Sequence, residues 1–117
     1  MPAETTLLEA RPRVLTSETL RVSTTLGTAF VTLTRDPEGQ PLEVFLNVGK
    51  AGSDTYATAE ALGRLFSLAL QLDSPVSQAE RALELANQLE DIGARMDVVD
   101  QLSIPDALAR VLREALI

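Results

Sequence analysis

The chain has 117 residues, 45% of them hydrophobic, a net charge of −7, and neither cysteine nor histidine, which suits one domain with one buried core. The missing residue types exclude disulfides, thiolate metal centres, thiol chemistry and histidine general-base catalysis by this polypeptide, and leave only carboxylates for a metal. The charge is uneven, with 5 basic and 6 acidic residues in 1–53 against 5 and 11 in 54–117, and so acidic a second half argues against general binding to a nucleic-acid backbone.

Residues 1–17 contain Pro2 and Pro12 and keep no sustained period, so they read as an N-terminal arm whose Leu7, Leu8, Val14 and Leu15 can dock elsewhere. Residues 18–117 then form a single domain. The first 13 residues lack the basic and apolar regions of a signal peptide, and no apolar run approaches the roughly 20 residues that span a bilayer. A cytoplasmic protein without a membrane partner is expected.

Residues 19–34 alternate and are rich in Thr, Val and Leu, with a turn at Thr24-Thr25-Leu26-Gly27, which predicts strands over 19–24 and 28–34. Asp36-Pro37-Glu38-Gly39-Gln40-Pro41 is a turn signal, and 42–48 is the third strand of an antiparallel meander. Val31 and Leu33 share one face, as do Val44, Leu46 and Val48, so one side of the sheet can be covered by helices.

The turn Gly49-Lys50-Ala51-Gly52-Ser53 follows at once. A helix should begin near Asp54 with Ser53 or Asp54 as its cap. Its polar residues Glu60, Arg64, Ser67 and Gln71 form one narrow stripe, while Ala57, Ala61, Leu62, Leu65, Phe66, Leu68, Ala69 and Leu70 fill most of the rest. That pattern predicts a central buried helix. Gly63 inside it costs about 1 kcal/mol against alanine, which close packing against another element would explain.

Ser74 and Pro75 suit the cap and first position of a second helix running to about Ile92, with Val76, Ala79, Leu83, Ala86 and Leu89 at helical spacing and Gly93 as its stop. A connector containing Met96, Val98 and Val99 leads to Ser103-Ile104-Pro105-Asp106, whose capping-box-like spacing starts a last helix that buries Leu108, Val111, Leu112 and Ala115. The predicted fold class is α+β: three antiparallel strands, then three helices packed on one face.

Several of these segments together resemble the TSCPD domain found near the C-terminus of adenosylcobalamin-dependent (class II) ribonucleotide reductases. The resemblance is carried by Ala29-Phe30-Val31-Thr32, Glu43-Val44-Phe45, Gly49-Lys50-Ala51-Gly52-Ser53, Glu60-Ala61-Leu62-Gly63-Arg64-Leu65, Gln88-Leu89-Glu90-Asp91-Ile92 and Ser103-Ile104-Pro105-Asp106-Ala107-Leu108-Ala109. It extends over residues 11–116. The last of these segments looks like the motif that names the family, with Ile104 in place of cysteine. Leu26, Asp54 and Ala94 stand at three further positions where the family pattern commonly has cysteine. The resemblance therefore implies that a metal or dithiol role of those cysteines is replaced here by packing. It also implies that ribonucleotide reduction does not occur on this polypeptide alone, since the reductase's radical cysteines lie in a large barrel domain. Met1 and the complete last helix favour a separate polypeptide over a fragment of the reductase.

Gly49, Lys50, Ala51, Gly52 and Ser53 are the candidate anion-binding residues. A strand running into a helix start aims free N–H groups and the positive end of a helix dipole at one spot, and Lys50 is the chain's only lysine. A tight turn that needs glycine for its backbone explains the same residues. Arg11, Arg13 and Arg21 can join Lys50 as a basic patch or be solvated scatter. Glu80, Glu84, Glu90, Asp91, Asp97 and Asp100 match no calcium loop and suit a charged helix face. Phe30 and Phe45 suit core or interface packing, or a stacking platform. No catalytic residue, metal site or cofactor is assigned. The expected function is a noncatalytic binding or assembly module, with a class II ribonucleotide reductase or a second copy as partner. The alternative is a nucleotide or single-stranded nucleic-acid binder using the residue 49–53 loop.

Overall fold

The computed structural model describes residues 14–93 and 102–117. Three strands, β1 (Thr16–Thr24), β2 (Gly27–Arg35) and β3 (Pro41–Val48), are followed by α1 (Asp54–Gln71), α2 (Gln78–Leu89) and α3 (Ile104–Leu116). The strands form one antiparallel sheet in the order β1-β2-β3, with Leu20 opposite Val31 and Val31 opposite Leu46. The fold is the α+β arrangement read from the sequence. Met96, Val98 and Val99, like Arg11 and Arg13, lie outside the described residues.

Local chemistry sets both turns. Between β1 and β2, Thr24 Oγ1 accepts the Leu26 N–H at 3.1 Å and donates to the Gly27 carbonyl at 2.6 Å. Between β2 and β3, Asp36 Oδ1 accepts the N–H groups of Glu38 and Gln40, both at 2.9 Å, so one side chain closes the turn. β1 begins at Thr16, earlier than the alternation suggested, because Thr16 and Ser17 pair with Arg35 and Thr34.

Ala29, Val31 and Leu33 of β2 and Val44, Leu46 and Val48 of β3 are buried on the inner face, as alternation requires. Ala59, Phe66 and Leu70 of α1, Ala82 of α2, and Leu108, Val111 and Leu112 of α3 complete the core. The outer face is exposed around Phe30 and Phe45, whereas Thr34 and Glu43 at its other end are buried. The two phenylalanines are about half exposed rather than in the core, and the Thr19 and Thr32 hydroxyls bond across this face at 2.9 Å.

Two expectations are overturned. α1 is not buried on all sides: Leu65 and Leu68 are exposed, and so are Ala57 and Ala61. The residues that approach the sheet include Ser67 and Gln71, which bond the β3 backbone. An edge strand has backbone groups to satisfy, and that requirement outweighs the burial of leucines on the far side.

α2 starts at Gln78 with Ser77 as its cap, three residues after the Ser74-Pro75 start, and ends at Leu89 rather than Ile92. Ser74 instead closes a local turn by accepting the Val76 N–H at 3.1 Å. Arg81 holds that turn by donating to the carbonyls of Ala69 at 2.8 Å, Leu72 at 2.7 Å and Val76 at 3.1 Å. The early stop at the other end follows from Asp91, which adopts a left-handed backbone with φ 66°. α3 begins as its sequence indicates, with Ser103 Oγ accepting the Asp106 N–H at 3.2 Å.

Candidate functional site

The glycine loop is an exposed turn joining the end of β3 to the start of α1. Gly49 and Gly52 have φ of 80° and 88°, which explains glycine at both places. The Ser53 N–H and hydroxyl both donate to the Lys50 carbonyl, at 3.0 and 2.7 Å, and the same hydroxyl accepts the Tyr56 N–H at 3.1 Å. Gly49, Lys50, Ala51, Gly52 and Ser53 therefore come together as one closed turn. Lys50 is exposed beside the positive end of the α1 dipole. Ser53 and Asp54, the acidic residue of the first helical turn, give that helix end partners of its own. Arg21 lies on β1, at the opposite edge of the sheet from β3 and this loop.

Beside the loop a groove of roughly 630 Å³ runs between α1 and β3, lined by Tyr56, Glu60, Arg64 and Gln71 on one side and Phe45 and Asn47 on the other. Its floor depends on close backbone approach. A Cβ on Gly63 would stand 3.1 Å from the Val44 carbonyl and 3.3 Å from the Leu46 nitrogen, so glycine is what lets α1 lie against the edge strand. Ser67 Oγ accepts the Val44 N–H at 2.9 Å and donates to the Val44 carbonyl at 3.0 Å, while Gln71 donates to Leu42 O at 3.1 Å. Arg64 pairs with Glu60 at 2.6 Å on the rim. Ser67 and Gln71 are thereby committed to the strand edge, and Arg64 and Glu60 to each other. They include no nucleophile beside a base.

Glu60, Arg64, Ser67 and Gln71 share the narrow polar stripe expected from their spacing, but that its inner members would bond the β3 backbone was not anticipated. The signal was available, since β3 at the end of a three-stranded meander must present unpaired backbone to something.

A second cluster joins α2 to α3. Asp106 is buried and accepts the Asp91 N–H at 3.0 Å and Arg110 Nε at 2.9 Å. Ser103 donates to the Ile92 carbonyl at 2.6 Å. Arg110 also reaches Asp91 at 2.9 Å; its hydrogen bond and charge pairing with Asp106 raise the guanidinium pKa above its ordinary value. Arg113 hydrogen-bonds Asn87 and forms an ion pair with Glu90. The cluster fixes the start of α3 and is internally paired, which marks it as a structural clasp. Among the described residues no group of three or more carboxylates gathers where a metal could sit, and no helix is long and apolar enough to cross a membrane.

The Ser103-Ile104-Pro105-Asp106 clasp and the glycine turn leading into α1 both lie within the stretch that a family model matches: that of the TSCPD domain covers residues 4–116. The chain belongs to the TSCPD domain family. No curated protein and no solved structure matches it. This TSCPD domain has no cysteine, so the positions that the resemblance compares with cysteine carry no thiol. Leu26 lies in the β1–β2 turn, where Thr25 N–H bonds Leu102 O at 3.0 Å, so that turn runs beside the approach to Ile104. Asp54 opens α1 near the same end of the sheet, since Val48 pairs with Ala29. Ala94 lies outside the described residues.

Proposed function

We propose that this TSCPD domain is a noncatalytic binding and assembly module that associates with an adenosylcobalamin-dependent ribonucleotide reductase. The supporting observation is the near full-length family match in a chain with no cysteine and no histidine: the module is present while the residues that would serve thiol or imidazole chemistry are absent. The internally bonded polar clusters, set beside exposed apolar side chains, agree with a role in contact rather than turnover. Immobilised chain should capture purified class II reductase, and free chain should compete for it. Failure to capture the active reductase at micromolar concentrations of both would remove this reading.

A second reading rests on Lys50, the chain's one lysine, exposed at the start of α1. In it the Gly49–Ser53 loop binds a nucleotide or a single-stranded nucleic acid through phosphate. Calorimetric titration with ATP and with a short oligodeoxythymidine should give binding that Lys50→Ala removes. Binding unaffected by that substitution, or none to remove, would eliminate it.

A further inference from the structure

Helix α1 is apolar on two opposite sides. Ala59, Gly63, Phe66 and Leu70 face inward. On the far side Ala57, Ala61, Leu65, Leu68 and Leu72 recur at spacings of four, four, three and four, which places them within about 80° of arc at 3.6 residues per turn. The three leucines are 65%, 48% and 54% exposed. An apolar patch of this kind marks a contact surface, and among the described residues nothing covers it.

We infer that this face docks against the same face of a second copy of the chain, the two α1 helices lying antiparallel about a two-fold axis at Leu65. Shape selects that occupant. The stripe is small at its N-terminal half, with Ala57 and Ala61, and bulky at its C-terminal half, with Leu68 and Leu72. Antiparallel packing sets Leu72 and Leu68 of each copy over Ala57 and Ala61 of the other, whereas parallel packing sets leucine on leucine and leaves a void between the alanines.

Charge selects the same arrangement. It brings the end of α1 that carries Lys50 and Asp54 to the 72–77 turn of the other copy, which carries Asp73 and is held by Arg81. Lys50 then meets a carboxylate and Asp54 a guanidinium, while the parallel alternative juxtaposes like charges. An 18-residue helix is about 27 Å long. A face of that length and about 10 Å wide falls short of the roughly 800 Å² per partner of a standard interface, so the dimer is reversible. With −7 on each copy, added salt tightens it by screening repulsion. The inference does not depend on the reductase reading, and either can fail alone.

The cysteine-free chain permits a clean test by single-cysteine trapping. Under mild oxidation Leu65→Cys should link to itself across the axis. Ala57→Cys mixed with Leu72→Cys should give the crossed species, and Ala57→Cys alone should stay monomeric. The unmodified chain in light scattering should move from monomer toward twice that mass as concentration rises, and Leu65→Glu should raise the midpoint about tenfold or more. Efficient self-linking of Ala57→Cys would overturn the antiparallel arrangement. Linking no greater than that of exposed Ser23→Cys on β1, or an unmodified chain that stays monomeric up to millimolar concentration, would overturn the interface itself; the latter reading needs no variant to fold.

Discussion

At the scale of single residues, three positions show how this domain resolves its polar backbone. Gly63 leaves room for α1 against β3, with the Val44 carbonyl 3.1 Å from where a Cβ would be. Helix propensity alone would have Gly63→Ala stabilise by about 1 kcal/mol. Overpacking against backbone that cannot swing aside costs about 1 to 3 kcal/mol. The expected outcome in urea unfolding is therefore a net loss on the order of 1 kcal/mol, and a gain would show that the helix shifts freely. Ser67 serves both backbone groups of Val44, so Ser67→Ala should cost roughly 1 to 3 kcal/mol in the same assay. Asp106, buried and bonded to the Asp91 N–H and Arg110, should be more sensitive still. Asp106→Ala is expected to cost roughly 3 kcal/mol, and Asp106→Asn less, because an amide oxygen can still accept from Asp91.

Among the elements, α1 was the one whose limits were plain in the sequence and whose orientation was not. Ser53 caps it as the sequence indicated, since capping is a local matter of one side chain and nearby N–H groups. Which face turns inward depends on a neighbour, and counting apolar residues gave a broad arc with no preferred centre. The unsatisfied edge of β3 broke the tie by drawing in Ser67 and Gln71, and the leucines opposite were left in water. The start of α2 shows the same limit. Ser74-Pro75 and Ser77 are both acceptable starts, and Arg81, reaching back to three carbonyls, favours the later one. Arg81→Met should therefore cost about 1 to 2 kcal/mol, with faster amide hydrogen exchange confined to the last turn of α1 and residues 72–77. Uniform loss of protection would mean that Arg81 acts on the whole fold.

Across the whole molecule, the order of elements followed directly from alternation, turn chemistry and helical spacing, because a short-looped antiparallel meander leaves few alternatives. The inner face of the sheet was equally legible, since a period of two fixes which residues share a side. Functional content was less so. The glycine turn and Lys50 are as conspicuous in the structure as in the sequence, yet the bonds of Ser53 serve the turn itself. The groove beside α1 had only an indirect sequence signal, the unpaired edge of β3, because its walls come from residues 43–47 and 56–71 and meet only through the fold. What distinguishes this domain is a paired polar interior combined with an exposed apolar exterior on one helix. A binding role is tested most directly by sedimentation velocity of the chain mixed with purified class II reductase holoenzyme. The expected result is chain sedimenting in the reductase boundary, saturating as the chain is titrated; two boundaries that keep their separate sedimentation coefficients at every ratio would contradict it.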